Sequence, residues 1–351
     1  MWLVILQTCS RPDMESAKAS LKHLQQHKKF EPVMLLCFGP SMKECPCVML
    51  LLKTRSVLLC MPCCQEKACD SKDFRIRSIR SCVRFLLRFS QNKNVRFDTI
   101  LFWGHGSGWV LGTWKKPDDF LSFTELNKEL LVPFRPSVVA FDACFMGSFS
   151  TLFGIDSSVR YVIASPGLQP YYSFLDCKAF FPKRNQSKLS FAIRLANEWL
   201  TKSIHATHDK ERCMLVFDVR FLQTRVAPLI KKHWSSMKFD KRAQVHHEEA
   251  RIFDVWTASR HLPHIQRLIR KAILNVPEHK SIPCWRVRGV TVDSKVFRKW
   301  VHLYDQSRWA KFLGSGHKTH HTIPRKDPTL KHEYEYGKWL PHNLSARKRK
   351  S

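Results

Sequence analysis

The chain has 351 residues, 44% of them hydrophobic, including 24 Phe and 11 Trp against only 12 Gly. This composition excludes a mainly disordered protein, because it supplies apolar surface for a large core in one elaborated domain or in two. Lys and Arg total 59 against 29 Asp and Glu, so the formal charge of +30 predicts attraction to nucleic acid, an anionic membrane or an acidic protein. Residues 314–351 account for only +6 of that charge, so a basic tail is not its whole origin.

The N-terminal apolar run, Trp2–Leu6, is too short for a signal peptide and lacks the charged region that would precede one. No stretch approaches the ~18–20 apolar residues of a membrane span, because Lys53 and Arg55 interrupt the run at 48–59. The 13 Cys are an odd number, so they cannot all be paired in disulfides within the chain. We therefore expect a soluble intracellular protein with reduced thiols and no membrane span.

Short apolar runs alternate with helix-like segments through the first two-thirds of the chain, which predicts a mainly parallel sheet with helices on both faces. The predicted strands are Trp2–Gln7, Pro32–Phe38, Val48–Leu52, Ser56–Met61, Phe97–Trp103, Ser137–Phe141, Tyr161–Ala164 and Arg212–Asp218. Helical spacing of apolar residues predicts helices over Met14–His27, Asp73–Gln91, Phe123–Leu131 and Leu189–Ser203.

The last third reads differently, with mostly helical patterns and then a basic end. Its predicted elements are helices at Phe221–Trp234, His264–Leu274 and Val296–Leu313 and a late strand at Arg286–Val292. From Gly314 onward, Gly, Pro, His and basic residues displace the aliphatics. We predict one domain at 1–313, with a core at 1–234 and a mainly helical extension at 235–313, and a basic, flexible tail at 314–351.

Two predicted strands run directly into residues that could carry chemistry. One ends in Gly-His-Gly-Ser-Gly at 104–108, and the other in Asp-Ala-Cys at 142–144. The carboxyl ends of parallel strands share one edge of a sheet, so His105 and Cys144 could face one crevice. A thiol beside an imidazole supplies a nucleophile and its proton acceptor, and the glycines leave backbone amides free to bind an oxyanion. This is the equipment for acyl transfer.

The spacing alone leaves other interpretations open. Cys144 could be a small buried apolar residue, His105 a loop residue and Asp142 a turn residue at a strand end. A phosphate-binding loop at 104–108 is disfavoured, because the Trp-Val-Leu-Gly-Thr-Trp that follows is not the helix such a loop needs.

His-Gly-x-Gly-Trp at 105–109 and Asp-Ala-Cys-x-Met at 142–146 resemble the motifs of the clostripain-like cysteine peptidases, in the clan with the caspase-like fold. Three further segments resemble other core elements of that family: Tyr161–Ser165, Met214–Leu222 and Phe297–Leu313. The resemblance covers most of residues 1–313. It implies a caspase-like α/β fold, a mainly parallel sheet flanked by helices, and hydrolysis of peptide bonds.

Carried over by residue, the resemblance implies that Cys144 is the nucleophile and His105 the general base and acid. The backbone amides of Gly106 and Cys144 would form the oxyanion hole. Asp142 matches the family position that lines the specificity pocket, where a carboxylate would select Arg or Lys before the cleaved bond. Ser165, at the start of the next substrate-binding segment, completes the implied site.

The segment after Ser165 departs from the family pattern. The family has two acidic residues followed by Pro-Gly and Gly-Trp, whereas this chain reads Pro-Gly-Leu-Gln-Pro-Tyr-Tyr-Ser-Phe at 166–174. We expect this departure to alter substrate preference rather than to abolish catalysis. Members of the family often activate by cutting a loop, which makes Lys115-Lys116 and Lys183-Arg184 candidate self-processing sites.

We expect no cofactor. Cys60, Cys63, Cys64 and Cys69 include one CxxC, but no second CxxC follows at the distance of a zinc knuckle, so a structural zinc is disfavoured. Some members of the family need calcium, which the resemblance leaves open, although the sequence has no Asp-rich loop of the calcium-binding type.

The charge supports a second hypothesis, of another class. A catalytically inactive caspase-like scaffold could bind nucleic acid, as a structural or virion-type nucleoprotein, through its +30 charge. The run at Arg347–Lys350 suits nuclear import, phosphate binding or solubility equally well. The expected partners are therefore a protein or peptide substrate and, through the basic surface and tail, nucleic acid or another polyanion.

Overall fold

The protein is represented by a computed structural model, which describes residues 2–7, 33–38, 47–51, 56–60, 83–84, 86–88, 96–106, 110–112, 120–167, 169, 173–180, 185–207, 213–238, 244–245, 252–275, 288–289 and 312. Several predictions lie outside these residues, namely the helix at Met14–His27, nearly all of that at Val296–Leu313, the tail at 314–351 and both candidate self-processing sites.

The strands of the main sheet begin and end close to the predicted apolar runs. In chain order they are β1 (Trp2–Gln7), β2 (Val33–Phe38), β3 (Cys47–Leu51), β4 (Ser56–Cys60), β5 (Thr99–Trp103), β6 (Val110–Gly112), β7 (Phe120–Ser122), β8 (Val138–Asp142), β9 (Tyr161–Ala164), β10 (Leu215–Asp218), β11 (Gln244–Val245), β12 (Ile252–Asp254) and β13 (Arg288–Gly289). Eight of them form one sheet in the order β10-β9-β8-β5-β1-β2-β3-β4.

The middle of this sheet is parallel and its edges are antiparallel. Parallel pairing joins β2, β1, β5, β8 and β9, whereas β10 runs antiparallel to β9, and β3 and β4 add antiparallel strands at the other edge. Every residue of β5 and β8 is buried, as expected for parallel strands that are covered on both faces. The predicted mainly parallel sheet is therefore confirmed.

The helices cover both faces of the sheet. Those whose bounds lie within the described residues are, in chain order, α1 (Phe123–Leu126), α2 (Val132–Phe134), α3 (Phe149–Gly154), α4 (Lys188–Thr207), α5 (Val219–Phe221), α6 (Ala227–His233), α7 (Val255–Ala258) and α8 (Pro263–Ala272). Residues 83–84 and 86–88, within the helix predicted over Asp73–Gln91, are also helical. π-helical turns at Asn127–Leu131 and Leu222–Val226 join α1 to α2 and α5 to α6. No helix within the described residues is long and apolar enough to cross a membrane.

Alternate residues of the strands contribute to two separate cores. On one face, α4 packs Phe191, Leu195 and Trp199 against strand residues such as Ala140 and Ile163. On the other face, the remaining helices pack against the alternate positions, which include Phe102, Phe141 and Phe217. This two-sided burial holds the carboxyl ends of β5 and β8 side by side, since Trp103 pairs with Asp142 in the sheet register.

Two small sheets were not predicted from the sequence. β6 and β7 form an antiparallel pair directly after the loop that carries His105, and β11, β12 and β13 form a three-stranded antiparallel sheet. The second of these lies in the extension predicted to be mainly helical, and only β13 falls within a predicted strand. Strands of two or three residues are too short to leave a periodic signal in the sequence.

Candidate active site

The histidine predicted to act as a base follows β5, in a loop that begins with Gly104. Gly104 has a φ of 150°, a conformation that residues with a side chain rarely adopt. Its N–H donates to the carbonyl oxygen of Asp142 at 3.2 Å, which ties the loop to the end of neighbouring β8. His105 comes next and is partly exposed. The chain therefore leaves the sheet here at the carboxyl edge, where open α/β folds place their sites.

The predicted nucleophile lies in a tight turn after β8. Cys144 is partly exposed, and Phe145 after it has a φ of 62°, which is unfavourable for a residue with a large side chain. The Phe145 N–H donates to the Gly167 carbonyl at 2.9 Å, and the Gly147 N–H donates to the Ser165 carbonyl at 2.7 Å. These two bonds hold the turn against the segment that follows β9.

Gly147 is required by a close approach of two backbones. A methyl group built on it would lie 2.8 Å from both the Pro166 nitrogen and the Ser165 carbonyl carbon. Such distances are about 0.6 Å shorter than an ordinary contact of about 3.4 Å to these backbone atoms. Any side chain at Gly147 would therefore push the turn and the following segment apart.

The histidine loop and the cysteine turn touch through Gly106. This residue is buried, and a methyl group on it would lie 2.9 Å from the Cys144 carbonyl oxygen and 2.6 Å from the Sδ atom of Met146. The Cys144 carbonyl is the harder of these two obstacles, because it belongs to the backbone and cannot rotate away. The structure thus brings the loops of His105 and Cys144 into direct contact.

The segment that departs from the family pattern contacts the thiol, which the sequence analysis did not foresee. The Gln169 N–H donates to the Sγ atom of Cys144 at 3.3 Å. An N–H that faces sulfur stabilises negative charge there, and the thiolate is the form that attacks a carbonyl. The carboxamide of Gln169 is buried, and neither of its polar atoms has a hydrogen-bond partner within the described part of the chain. Residues 165–167 and Gln169 therefore border the site.

Asp142, the predicted specificity residue, is almost fully buried, with 3% of its surface exposed. Its Oδ2 atom accepts a hydrogen bond from the Phe174 N–H at 2.8 Å, while Oδ1 is buried without a hydrogen-bond partner among the described residues. Burial raises the pKa of this carboxyl well above its ordinary value, and nearby Asp176 raises it further. The Phe174 N–H and the Trp199 indole act in the opposite direction but do not cancel the effect of burial.

The segment that reaches Asp142 is fixed to α4 by charged side chains. The Glu198 carboxylate accepts the N–H groups of Lys178 and Ala179 at 2.8 and 2.7 Å and pairs with Lys202 at 3.0 Å. Partial burial alone would raise the pKa of Glu198, but Lys202 and the two N–H donors lower it overall. Lys202 also donates to the Asp176 carbonyl at 2.9 Å, so the turn carrying Phe174 is anchored from α4.

Ser165 is buried rather than at the surface. It is 1% exposed, and its hydroxyl accepts the Gly167 N–H at 3.0 Å. In this arrangement the side chain shapes the turn that leads to Gln169. Its assignment to substrate binding stays a prediction, as do the catalytic assignments of Cys144 and His105.

The metal expectations are also untested. Cys63, Cys64 and Cys69 lie outside the described residues, as does the side chain of Cys60. Within the part of the chain that the structure describes, no three His, Cys, Asp or Glu side chains are grouped so that they could hold a metal ion.

The family model of the clostripain family matches residues 78–258, more than half of the chain and a range that includes both predicted dyad residues. The chain belongs to the clostripain family. This clostripain-family protein is therefore a cysteine peptidase by descent, a hydrolase of the class that its motifs resemble. No curated protein sequence matches it.

Solved structures of other clostripain-like peptidases share the fold of this chain. An inactive zymogen of a C11 protease from Parabacteroides distasonis is similar with a TM-score of 0.58 and 13% identity, over 89% of this chain and 97% of that chain. A secreted C11 cysteine protease from Bacteroides thetaiotaomicron gives a TM-score of 0.62 at 12% identity, with the same two coverages. A structure of such a protease from that organism with an irreversible peptide inhibitor gives 0.57 at 12% identity, covering 89% and 100%. At these identities the likeness shows the fold alone.

Proposed function

We propose that this clostripain-family chain is a cysteine endopeptidase that cleaves after Arg or Lys through a dyad of Cys144 and His105. The observation that carries the proposal is the contact between the two loops, in which Gly106 packs against the Cys144 carbonyl at the carboxyl edge of the sheet. The Gln169 N–H on the Cys144 sulfur supports the nucleophilic role, since it stabilises a thiolate.

The reaction follows from these groups in two steps. His105 takes the proton of the Cys144 thiol, and the thiolate attacks the peptide carbonyl carbon. The N–H groups of Gly106 and Cys144 bind the oxyanion that forms. His105 gives its proton to the departing amine, which leaves a thioester between the substrate and Cys144. Water then attacks the thioester while His105 takes its proton, and the acid is released with the thiolate restored. No third catalytic residue is needed, because a thiol ionises far more readily than a serine hydroxyl.

The proposed preference for Arg or Lys depends on Asp142. Its Oδ1 atom has no hydrogen-bond partner within the described residues, although it is buried two positions before the nucleophile. A guanidinium or ammonium group that reached this atom would supply the missing donor and the missing positive charge. The dyad and its preference require no metal ion in this proposal.

The test is hydrolysis of fluorogenic peptides ending in Arg, Lys, Asp or Leu, with the wild type and Cys144→Ala compared in parallel and with the intact mass of both proteins recorded. Cleavage after Arg or Lys by the wild type alone is the expected result. Cleavage after Asp or Leu would keep the dyad and remove Asp142 from the specificity pocket. Equal turnover by Cys144→Ala would remove Cys144 from the mechanism. No cleavage in the presence of calcium, with both masses intact, would favour the inactive scaffold.

The same intact masses test self-processing. An enzyme that cleaves after basic residues and contains 59 of them must keep most of them inaccessible. Cleavage at Lys115-Lys116 or Lys183-Arg184 in the wild type, and at neither in Cys144→Ala, would identify these loops as sites of activation.

A further inference from the structure

Two segments that cover one face of the sheet carry positive charge without any acidic residue. Residues 219–238 and 255–275 together contain nine Lys or Arg, three His and no Asp or Glu. Eight of the nine Lys and Arg side chains are exposed, and the ninth, Arg260, is half-buried. We call the exposed side chains of these two segments the basic face.

The charge on α8 lies on the side opposite to its buried side. Ile265 and Ile269 pack into the core, and Ala272 joins them. The exposed basic residues of this helix are His264, Arg267, Arg270 and Lys271. At 100° per residue these four positions fall within about a third of the helix circumference, so their charges project in similar directions.

The two segments meet, so their charges form one surface. The rings of His233 and His264 lie 5.2 Å apart between centroids, which joins the end of α6 to the beginning of α8. Further along, the Lys238 N–H donates to the Ala258 carbonyl at 2.9 Å, and Arg260 donates to the Lys238 carbonyl at 3.4 Å. The charges are therefore held on a rigid layer of the fold rather than on separate loops.

The carboxylate that borders the first segment is already engaged. Asp218 is 8% exposed, accepts the Phe221 N–H at 2.9 Å and pairs with Arg160 at 2.8 Å. It therefore belongs to the cap of α5 and does not neutralise the outward charges.

The burial pattern selects among anionic partners. A helix that inserts into a membrane needs an exposed apolar side, but the apolar side of α8 is in the core. Among the described residues, Val132 on α2 is the one large hydrophobic side chain that is exposed. The basic face therefore has no apolar anchor of the kind that dominates protein–protein interfaces. A phosphate backbone needs neither, and five of the nine cations are Arg, which binds phosphate in a bidentate manner.

We propose that the basic face binds the phosphate backbone of nucleic acid, independently of sequence, and so holds the peptidase on nucleoprotein. This surface is additional to the peptidase site and does not depend on whether that site is active. A peptidase with a preference for Arg or Lys would there meet basic nucleic-acid-binding proteins, whose chains are rich in the residues it cleaves.

The test is fluorescence anisotropy of a labelled 20-nucleotide oligothymidylate and of a labelled 20-base-pair duplex, at several salt concentrations, with the full chain carrying Cys144→Ala to prevent self-cleavage. The two test variants are Arg267→Glu with Lys271→Glu on α8, and Arg225→Glu with Lys232→Glu on the neighbouring helical segment. The matched control is Arg84→Glu with Arg96→Glu, which changes the net charge equally at exposed positions outside the basic face.

We expect each test variant to bind either probe roughly tenfold or more weakly than the parent, while the control binds as the parent does. The slope of the logarithm of the binding constant against the logarithm of the salt concentration should be shallower by about one to two in each test variant. Equal weakening by the control and by the test variants would show that only total charge matters, and it would overturn the proposal. Unchanged binding by both test variants would also overturn the proposal, because it would place the interaction in the tail. An absence of binding to either probe would overturn it as well.

Two further readouts distinguish this proposal from membrane binding and from the proposed peptidase function. Vesicles of phosphatidylcholine and phosphatidylserine are offered in a sedimentation assay, and binding to vesicles in preference to oligonucleotides would overturn the proposal in favour of a membrane surface. Peptide hydrolysis is measured for the same variants with Cys144 intact, and it is expected to equal that of the wild type. A dead peptidase that still binds oligonucleotides through the basic face would refute the proposed function and leave this inference standing.

Discussion

The contact at Gly147 permits a sharp test of how the turn that carries Cys144 is held. Gly147→Ala would place a methyl group 2.8 Å from the Pro166 nitrogen and the Ser165 carbonyl carbon, both of them backbone atoms that cannot rotate away. Relief requires a displacement of about 0.6 Å between the turn and the segment after β9. That segment carries the Gln169 N–H that lies on the Cys144 sulfur. The strain should therefore reach the thiol as well as the fold.

The expected magnitude follows from two known scales. Overpacking of this kind costs about 1–3 kcal/mol in the free energy of unfolding. Misplacement of a reacting group by ~1 Å can cost about a hundredfold in rate, so a shift of half that size predicts a loss of roughly tenfold or more in kcat/KM. The assay is urea unfolding together with peptide hydrolysis at a temperature where the variant is fully folded.

The chain offers a matched control in Gly154→Ala. A methyl group there meets the Phe123 Cβ atom at 3.6 Å, an ordinary contact, and an Ala at a helical position is favoured over Gly by up to about 1 kcal/mol. This variant should retain full activity and equal or greater stability. If Gly147→Ala matched it in both measurements, the close approach would not constrain the turn. If Gly147→Ala lost stability but kept kcat/KM when folded, the contact would support the fold without positioning the thiol.

Three further predictions concern buried polar groups. Asp142→Asn keeps an acceptor for the Phe174 N–H but removes the buried charge, so the variant should unfold at a higher temperature than the wild type near pH 7. This difference in unfolding temperature should vanish as the pH falls below the ordinary Asp pKa of about 3.8. A lower unfolding temperature at pH 7 would contradict this sign. Gln223→Ala removes an amide that donates to three carbonyls at the end of α3, at 2.7 Å in the shortest case, and should cost about 1–3 kcal/mol in urea unfolding without changing kcat/KM. Iodoacetamide at pH 7.5 should modify Cys144 faster than Cys177, because burial raises the pKa of the Cys177 thiol far above its ordinary value. Peptide mass mapping would measure both rates, and faster modification of Cys177 would refute its burial.

The central strands could be predicted because their patterns are local. β5 and β8 are continuous apolar runs of strand length, and both appear where the runs predict them. Helix α4 is also recovered, with ends at Lys188 and Thr207 that extend the predicted range slightly. By contrast, the β6–β7 pair depends on contact between two three-residue segments, and nothing in either segment alone indicates a strand.

The same distinction holds within the candidate site. His105 and Cys144 could be placed at one edge of the sheet because each follows a predicted parallel strand. The Gln169 contact with the sulfur could not be predicted, because it is made by a backbone N–H, which every residue except proline possesses. The hydrogen bond from the Phe174 N–H to Asp142 could not be predicted for the same reason, even though the sequence analysis had singled out Asp142.

Asp142 is the residue at which stability and the proposed function conflict. Its ionisation is opposed by burial and by Asp176, and Lys202, which donates to the Asp176 carbonyl, is paired with Glu198. The fold alone therefore favours a neutral group here, since an Asn would keep the Phe174 hydrogen bond at no electrostatic cost. A cationic substrate side chain would reverse the balance by supplying the absent counter-charge. Peptides ending in Arg should accordingly bind more tightly as the pH rises, through the same ionisation that destabilises the protein without a bound peptide's positive charge.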